Sequence, residues 1–215
     1  MPPAAPPVGR LHVLTDFHFQ QRRTHAEIAR LAAAGGAEAV QFRHKAGTAR
    51  DRLANLRPTV AACRAAGVPC VVDDHLDLAL VAGADGVHLG ALDLPVADAR
   101  AVLDGRGGGL VGATATTAEA ARAAEAAGAD YVGFGPVFPT GSKANPASVK
   151  GLAGLTAACA AVTVPIIAIA GVTPERVGPC LDAGAWGVAV MTAVTTAPDP
   201  EAAAARFREA VDRWR

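Results

Sequence analysis

The sequence predicts an α/β fold with a single (β/α)8 barrel of the TIM type, on three observations. A short phrase that leaves an Ala-rich helix through Gly-Ala and enters an apolar strand occurs four times, at 35–43, 82–90, 127–135 and 183–191. The anchor glycines of these phrases are 47, 45 and 56 residues apart, so each interval has room for a further strand and helix. Strands and helices that alternate over 215 residues without a polar linker predict one closed barrel.

The remaining strands are continuous apolar runs rich in Val, Ile and Leu, as parallel strands buried on both faces require. In chain order the eight predicted strands lie within 11–16, 35–43, 68–74, 82–90, 110–115, 127–135, 164–171 and 183–191. Capping-box sequences at Thr24 and Thr116 mark the starts of two helices. Thr173 before Pro174 marks a third, as an N-cap followed by a first-turn proline.

Composition restricts the domain organisation and the partners. The chain is 51% hydrophobic and balances 20 basic against 20 acidic side chains without a Lys/Arg run, which argues against a nucleic-acid or membrane partner. We expect a loose Pro-rich tail over residues 1–10, without the long apolar stretch of a signal peptide, and a cytoplasmic catalytic barrel over 11–215. The four cysteines lack C-x-x-C spacing and are predicted to be buried thiols.

Polar side chains collect where the predicted strands end, at the face where barrel chemistry takes place. Strand two ends in Gln41, Phe42, Arg43, His44 and Lys45. Period-two alternation sends Gln41, Arg43 and Lys45 toward the barrel mouth. A solvated rim accounts for Lys45, but a charge inside a strand needs a partner. The sequence therefore favours a cluster of hydrogen-bond donors that binds phosphate oxygens.

Carboxylates from two neighbouring loops predict a metal site. Asp74 follows strand three, and Asp93 lies just beyond strand four. Mg2+ takes one or two carboxylates and completes its shell with water and substrate phosphate, so this pair is an adequate protein contribution. Helix capping is the alternative interpretation, which also applies to Asp73. His75 and His88 are interpreted as structural histidines.

The predicted loop after strand six, at 135–146, is longer than the usual short βα connection. It carries Thr140, Ser142 and Lys143, which is typical of an anion clamp with a mobile lid. An ordinary Pro/Gly turn with exposed polar groups has the same composition.

Loops after strands five, seven and eight offer further groups to an anion. Thr114 supplies a hydroxyl that can contact a phosphate or cap a helix. Gly171 exposes backbone amides at a helix start, an arrangement that binds anions. Together with the backbone at Met191 and Thr192 it predicts the phosphate site that many barrels have after strands seven and eight.

The chain carries, in order, the segments HVLTD, VQFRHK, DDHLDLALVAGADGVHLGALDLP, GPVFPTGSK, VPIIAIAGV and GVAVMTAV. Taken together, these segments resemble the thiamine phosphate synthase family along nearly the whole chain. The resemblance implies condensation of 4-amino-5-hydroxymethyl-2-methylpyrimidine pyrophosphate with hydroxyethylthiazole phosphate, giving thiamine phosphate and pyrophosphate with the help of Mg2+. These small phosphorylated molecules are the implied partners, and the resemblance alone leaves room for a homo-oligomer.

The resemblance also implies roles for individual residues. Asp74 and Asp93 correspond to the metal ligands of the family, and Arg43, Lys45 and Lys143 correspond to the groups that stabilise the leaving pyrophosphate. The residues expected to contact substrate are Gln41, Arg43, Lys45, Asp73, Thr114, Thr140, Ser142, Lys143, Gly171, Met191 and Thr192.

The chain departs from the family pattern at several positions of the expected site. Asp73 stands where the family usually has Asn, Ala91 where it has Gln, and Ala170 where it has Gly. A second carboxylate repels a diphosphate unless a metal or a proton compensates it. These departures keep three alternatives open: a thiazole tautomerase-like barrel, a phosphate-ligand-binding barrel without turnover, and a barrel enzyme for another phosphorylated substrate.

Overall fold

The computed structural model describes residues 8–141 and 148–214, which form the predicted closed barrel. Its parallel strands pair in sequence order, and β1 pairs with β8 to close the sheet. The strands are β1 Leu11–Leu14, β2 Ala39–Phe42, β3 Cys70–Asp73, β4 Gly86–Leu89, β5 Leu110–Ala115, β6 Tyr131–Phe134, β7 Ile166–Ile169 and β8 Gly187–Val190. The described helices are α1 His25–Ala34, α2 Ala49–Ala66, α3 Leu76–Ala82, α4 Val96–Asp104, α5 Ala118–Ala126, α6 Gly151–Cys159, α7 Pro174–Asp182, α8 Thr192–Thr195 and α9 Pro200–Arg213.

The apolar runs are buried on both faces because helices cover the outside of the barrel. Phe42 and Val72 point outward from β2 and β3 and pack against Leu56 and Cys63 of α2. All four side chains are at most 2% exposed. Burying a side chain such as Phe42 contributes about 1.5–3 kcal/mol, which is comparable to the roughly 1–2 kcal/mol of backbone freedom that a single residue loses on folding.

The inside of the barrel contains polar side chains as well as apolar ones. Tyr131 and His88 fill the space beside Gly112 of β5, where a Cβ would lie 2.3 Å from Tyr131 Cζ and 2.5 Å from His88 Nδ1. His12 lies edge-on to Tyr131, with ring centroids 5.4 Å apart. A side chain at position 112 would therefore displace the polar groups that connect the barrel interior with its mouth.

Seven of the eight strands end one or two residues before the predicted bounds, among them β2, β3 and β8. The ladder of β2 stops at Phe42, so Arg43 and Lys45 lie in the following loop. β3 ends at Asp73, because Asp74 takes a left-handed backbone conformation with φ of 65°. β8 ends at Val190, one residue before the predicted phosphate-binding backbone. The polar residues thus lie in loops that begin directly at the carboxyl end of the sheet.

The predicted helix starts are partly confirmed. Thr24 and Glu27 form a complete capping box at the start of α1. The prediction at Thr116 is wrong, because α5 begins one residue later and Thr117 accepts the hydrogen bond from Ala120 N. Thr116 and Thr117 are both residues that N-caps favour. Thr117 is the N-cap because its side chain is the one that reaches the backbone amide of the third helical residue.

The amino-terminal face of the barrel is closed by aromatic side chains. Trp186 donates its indole N–H to the carbonyl of Val8 at 2.9 Å, and Val8 is 3% exposed. The guanidinium of Arg10 lies 5.7 Å and 5.3 Å from the rings of Trp186 and Trp214. Residues 8–10 are therefore packed rather than part of the loose tail predicted for 1–10, and residues 1–7 lie outside the described part.

All four cysteines are free, and the prediction of buried thiols is confirmed for three of them. Cys63, Cys70 and Cys180 are buried, and Cys159 is partly exposed. Burial raises the pKa of the Cys180 and Cys159 thiols to about 11. None of the described helices combines the length and the apolar character needed to cross a bilayer.

Candidate active site

Polar residues from the first four strands lie together at the carboxyl end of the barrel. The register pairs Asp73 with His88, and each strand delivers its polar residues at or just after its last paired position. Of the residues predicted from the sequence, Lys45 forms ion pairs with Asp73 and Asp74, and Arg43 lies within ion-pair distance of Asp73. The mouth of the barrel is therefore the candidate site.

Arg43 is held between two carboxylates. Its Nη1 is in close contact with Asp16 Oδ2, and its Nε lies 3.7 Å from Asp73 Oδ2. Asp16 is 2% exposed and also accepts from His18 N at 2.5 Å. A guanidinium fixed on two sides loses little further freedom when it binds an anion, which suits a phosphate contact.

Lys45 forms ion pairs with the two consecutive aspartates that follow β3. Its Nζ lies 2.7 Å from Asp73 Oδ2 and 2.5 Å from Asp74 Oδ2. Partial burial opposes the charged form of Lys45, but Asp73 and Asp74 outweigh it and raise the lysine pKa. Asp73 Oδ2 is buried and has no hydrogen-bond partner among residues 8–141 and 148–214, so the ion pair with Lys45 is its main polar contact there. Burial is also the main reason why the pKa of Asp73 is raised.

Asp74 and Asp93 meet across the β3 and β4 loops. Their carboxyl groups are within hydrogen-bonding contact of each other. Asp93 also accepts from Gly90 N at 2.7 Å, which fixes its orientation. Burial together with the neighbouring Asp74 raises the pKa of Asp93. Burial opposes ionisation of Asp74 too, but the hydrogen bond and the charge of Lys45 outweigh it and lower the Asp74 pKa.

This carboxyl pair fits a hard divalent cation. Two carboxylates in contact repel each other when both are ionised, and a cation between or beside them removes that repulsion. Among the described residues, no group of three or more His, Cys, Asp and Glu side chains is arranged to hold a metal ion. A Mg2+ site needs fewer, because the ion keeps water and substrate oxygens in its shell.

A buried polar chain connects the barrel interior to Thr114. His88 Nδ1 lies 3.1 Å from the Tyr131 hydroxyl, and His88 Nε2 lies 2.9 Å from Thr114 Oγ1. The Tyr131 hydroxyl also contacts the side chain of Gln41, which is 7% exposed. Burial lowers the pKa of His88 to about 4, so the imidazole is neutral near pH 7. The expected structural role of His88 is consistent with this, and its contact places Thr114 Oγ1 at the mouth.

The opposite side of the mouth has an unusual backbone after β7. Ala170 and Gly171 both have positive φ, 78° and 65°. A Cβ on Gly171 would lie 2.5 Å from the carbonyl oxygen of Pro139 and 2.8 Å from Phe138 Cβ. A side chain is excluded at this position by both conformation and space. No acceptor among residues 8–141 and 148–214 is paired with the Gly171 or Val172 amide, so two donors are free to meet an anion.

The structure describes only some of the substrate-binding residues predicted in the loops after β6 and β8. Met191 is the N-cap residue of the short helix α8, and Thr192 is its first residue. Thr140 is half-buried in the described part of the β6 loop. Ser142 and Lys143, predicted from the same loop, lie outside the described residues.

Several residues of the site were missed by reasoning from sequence. Asp16 is the last residue of the HVLTD segment. An aspartate directly after a predicted strand was the signal that could have identified it. Tyr131 is far from Gln41 and His88 in sequence and joins them only through barrel closure. Arg176 lies in the first turn of α7 and contacts Gly171 and Phe138, which no local pattern indicates.

The fold and the mouth define a (β/α)8-barrel protein with a cluster of acidic and basic side chains on one side of the mouth and a left-handed glycine backbone on the other. The chain belongs to the thiamine monophosphate synthase family, whose model matches residues 11–194.

Named relatives agree with this membership over nearly the whole chain. A thiamine-phosphate synthase of Salinibacter ruber is 54% identical over 205 residues, which are 95% of this chain and 89% of the relative. One of Methanoculleus marisnigri is 45% identical and covers 94% of each chain. The solved structure of a thiamine phosphate pyrophosphorylase from Pyrococcus furiosus has a TM-score of 0.85 and 34% identity, covering 95% of this chain and 96% of the other.

Proposed function

We propose that this protein is a transferase that condenses 4-amino-5-hydroxymethyl-2-methylpyrimidine pyrophosphate with hydroxyethylthiazole phosphate, releasing pyrophosphate and thiamine phosphate. The observation that carries the proposal is the contact between Asp74 and Asp93 beside Lys45, opposite the free amides at Gly171. The two sides of the mouth thus offer separate positions for a diphosphate and for a monophosphate, as the two substrates require.

Charge at the mouth supports Mg2+ as the cofactor. The described residues there are four carboxylates, of Asp16, Asp73, Asp74 and Asp93, and two cationic side chains, of Arg43 and Lys45. When all are ionised, the cluster carries an excess of two negative charges, which repels a diphosphate. Asp74 and Asp93 would hold the ion. When bound, Mg2+ supplies positive charge that neutralises the phosphoryl oxygens and orients the diphosphate.

Arg43 and Lys45 bind and stabilise the leaving group in this proposal. The methylene–oxygen bond breaks as the thiazole nitrogen attacks, and negative charge grows on the departing pyrophosphate. Cationic donors already held in place by carboxylates need little reorganisation to meet that charge. Lys143 has the same expected role by family resemblance.

No general base is required for the bond that forms. The thiazole nitrogen attacks with its own lone pair, and the aminopyrimidine delocalises charge on the methylene carbon. The protein therefore aligns two bound substrates and excludes water from the reactive carbon. The neutral His88 agrees with this chemistry, because it orients the Thr114 hydroxyl instead of moving a proton. Gln41, Asp73, Thr140 and Ser142 complete the proposed substrate contacts.

The amides of Gly171 and Val172, with the backbone at Met191 and Thr192, are the proposed cradle for the thiazole phosphate. A phosphate bound there lies beside the positive end of α7, which favours an anion. Small phosphorylated molecules in the cytoplasm are the proposed partners, without nucleic acid or membrane. A homo-oligomer remains a proposal from family resemblance.

The decisive experiment incubates the purified protein with both substrates and follows thiamine phosphate and pyrophosphate by chromatography, with Mg2+ and with EDTA. We expect equimolar products with Mg2+ and a large loss of rate with EDTA. If the protein binds thiazole phosphate but forms no product from the two substrates with Mg2+ present, it is a phosphate-ligand-binding barrel without turnover. Isomerisation of a thiazole phosphate without pyrophosphate release would indicate the tautomerase alternative.

A further inference from the structure

Arg176 contacts two loops that border the proposed monophosphate cradle. Its Nη1 donates to the carbonyl oxygen of Gly171 at 2.6 Å, and its guanidinium carbon lies 4.6 Å from the centre of the Phe138 ring. Phe138 belongs to the loop after β6, and Gly171 to the loop after β7. One side chain therefore spans both loops from the outside.

The position of Arg176 is unfavourable for the helix that carries it. Arg176 is the third residue of α7, behind Thr173 as N-cap and Pro174 as first residue. A cation in the first helical turn is repelled by the positive end of the helix dipole. The Thr173 side chain makes no capping bond that would reduce this charge. The contacts with Gly171 and Phe138 compensate a cost that helix stability alone does not explain.

The hydrogen bond from Arg176 fixes the orientation of the peptide group between Gly171 and Val172. The carbonyl of Gly171 and the N–H of Val172 belong to one planar unit and point in opposite directions. Fixing the carbonyl outward, toward Arg176, fixes the Val172 N–H in the opposite direction, away from Arg176. The preceding residues have left-handed conformations, and Ala170 is strained there because it has a Cβ. A peptide beside such strain needs an external contact to keep one orientation.

The loop after β6 depends on the same anchor. Phe138 N donates to Ala170 O at 3.2 Å, and Val137 N donates to Ile169 O at 3.0 Å. These bonds hold the start of the β6 loop along the end of β7. The Phe138 ring then lies under the Arg176 guanidinium, so the two loops and the side chain form one unit.

We propose that Arg176 is a positioning residue for monophosphate binding, which holds the Gly171–Val172 peptide and the Phe138 loop in the geometry that accepts a phosphate. The inference rests on the proposed function for its substrate, hydroxyethylthiazole phosphate. The phosphate contact itself is made by backbone amides, and Arg176 acts through them. The geometry predicts an effect on one substrate and not on the other.

The test compares Arg176→Ala and Arg176→Lys with Arg206→Ala. Arg206 is an exposed arginine of α9 whose charge also acts on Glu175, so its removal controls for the loss of one cation near α7. We expect Arg176→Ala to raise the KM for thiazole phosphate by about tenfold, the size of one lost charge-assisted hydrogen bond. The KM for the pyrimidine substrate and kcat should change by less than about twofold, and Arg206→Ala should behave like wild type.

Arg176→Lys separates positioning from simple charge. Lysine keeps the positive charge but lacks the planar fork that stacks on a ring while it donates to a carbonyl. If long-range charge were responsible, lysine would restore the KM fully, and the positioning role would be wrong. We expect partial rescue at most. An equal rise in both KM values would also overturn the proposal, because it would indicate general damage to the barrel mouth.

Calorimetric binding of inorganic phosphate keeps the inference separate from the reaction. We expect Arg176→Ala to weaken phosphate binding about tenfold relative to wild type and to Arg206→Ala. If the wild type forms no thiamine phosphate but shows this difference, the proposed function fails and the positioning role stands. If Arg176→Ala binds phosphate as well as the wild type, the positioning role fails whatever the enzyme catalyses.

Discussion

Asp73 Oδ2 lies 2.7 Å from Lys45 Nζ. A buried carboxylate therefore forms an ion pair with the lysine that the proposed function assigns to the diphosphate. Asp73 is also 3.7 Å from Arg43 Nε and therefore faces both Arg43 and Lys45. An incoming diphosphate must share these cations with a carboxylate that cannot leave. The pair keeps Lys45 in place in the absence of substrate, but it weakens the attraction for the substrate.

Replacing Asp73 by Asn should therefore strengthen diphosphate binding. The substitution removes one negative charge near the bound anion, while Asp74 still holds Lys45 at 2.5 Å. We expect the inhibition constant of product pyrophosphate to fall by roughly three- to tenfold. Inhibition kinetics with Mg2+ held constant would measure the change. Asp77→Asn, the same charge change on an exposed residue of α3, is the control, and weaker pyrophosphate binding by Asp73→Asn would contradict the explanation.

The Asp74–Asp93 contact predicts how the enzyme depends on metal concentration. Asp93→Asn keeps an oxygen that can accept from Gly90 N but removes one of the two charges that would hold Mg2+. The Mg2+ concentration for half-maximal rate should rise by about tenfold or more. A Mg2+ titration of initial rates measures it, with Asp98→Asn as a control in the first turn of α4. An unchanged titration curve would remove Asp93 from the proposed metal site.

Gly171 should be intolerant of any side chain. Gly171→Ala places a Cβ 2.5 Å from Pro139 O at a φ of 65°, so we expect a loss of about 1–3 kcal/mol in unfolding free energy and weaker phosphate binding. Gly105→Ala is the matched control. Gly105 has a right-handed backbone and only ordinary neighbours at 3.5 Å and beyond, so alanine there should be neutral or stabilising by about 0.4–1 kcal/mol. Urea unfolding of both variants compares them, and equal stability would show that the loop moves freely.

The sequence predicted the barrel well because its signals are local and repeated. Gly-Ala phrases and apolar runs mark every strand, and parallel pairing in sequence order needs no further information. The cluster of Arg43, Lys45 and Asp74 followed from the rule that polar groups at strand ends meet at one face. Contacts that depend on closure of the barrel were not predictable, since Tyr131 reaches Gln41 and His88 only when β6, β2 and β4 enclose the same space. Thr116 failed for a different reason, because two neighbouring threonines satisfy the same local rule.

Buried imidazoles make the stability of the fold dependent on pH. Burial, together with the neighbouring His44, lowers the pKa of His25 to about 3 from an ordinary value of 6.5. Because the folded-state pKa is below the unfolded one, this stability is fully present above pH 6.5 and is lost as the pH falls from 6.5 toward 3. One such imidazole changes the unfolding free energy by at most about 1.4 kcal/mol per pH unit in that window.

His25→Phe should reduce this dependence. Phenylalanine can keep the ring packing against Phe17 and Phe42, whose centroids are 4.0 Å and 4.6 Å away, but it loses the bond to Thr15 Oγ1. The variant should be less stable than wild type by about 1 kcal/mol at pH 7.5. It should become the more stable protein near pH 4.5, because it has no imidazole to protonate on unfolding.

Urea unfolding at several pH values, followed by tryptophan fluorescence, measures the crossing of the two stability curves. Trp186 and Trp214 lie at the amino-terminal face, so their signal reports folding of the barrel independently of the candidate site. His18→Phe adds the same ring at an exposed position of the β1 loop and should retain the slope of the wild type. Parallel curves for His25→Phe and wild type between pH 6.5 and 4.5 would mean that His25 is already protonated in the folded barrel, and that burial does not control its titration.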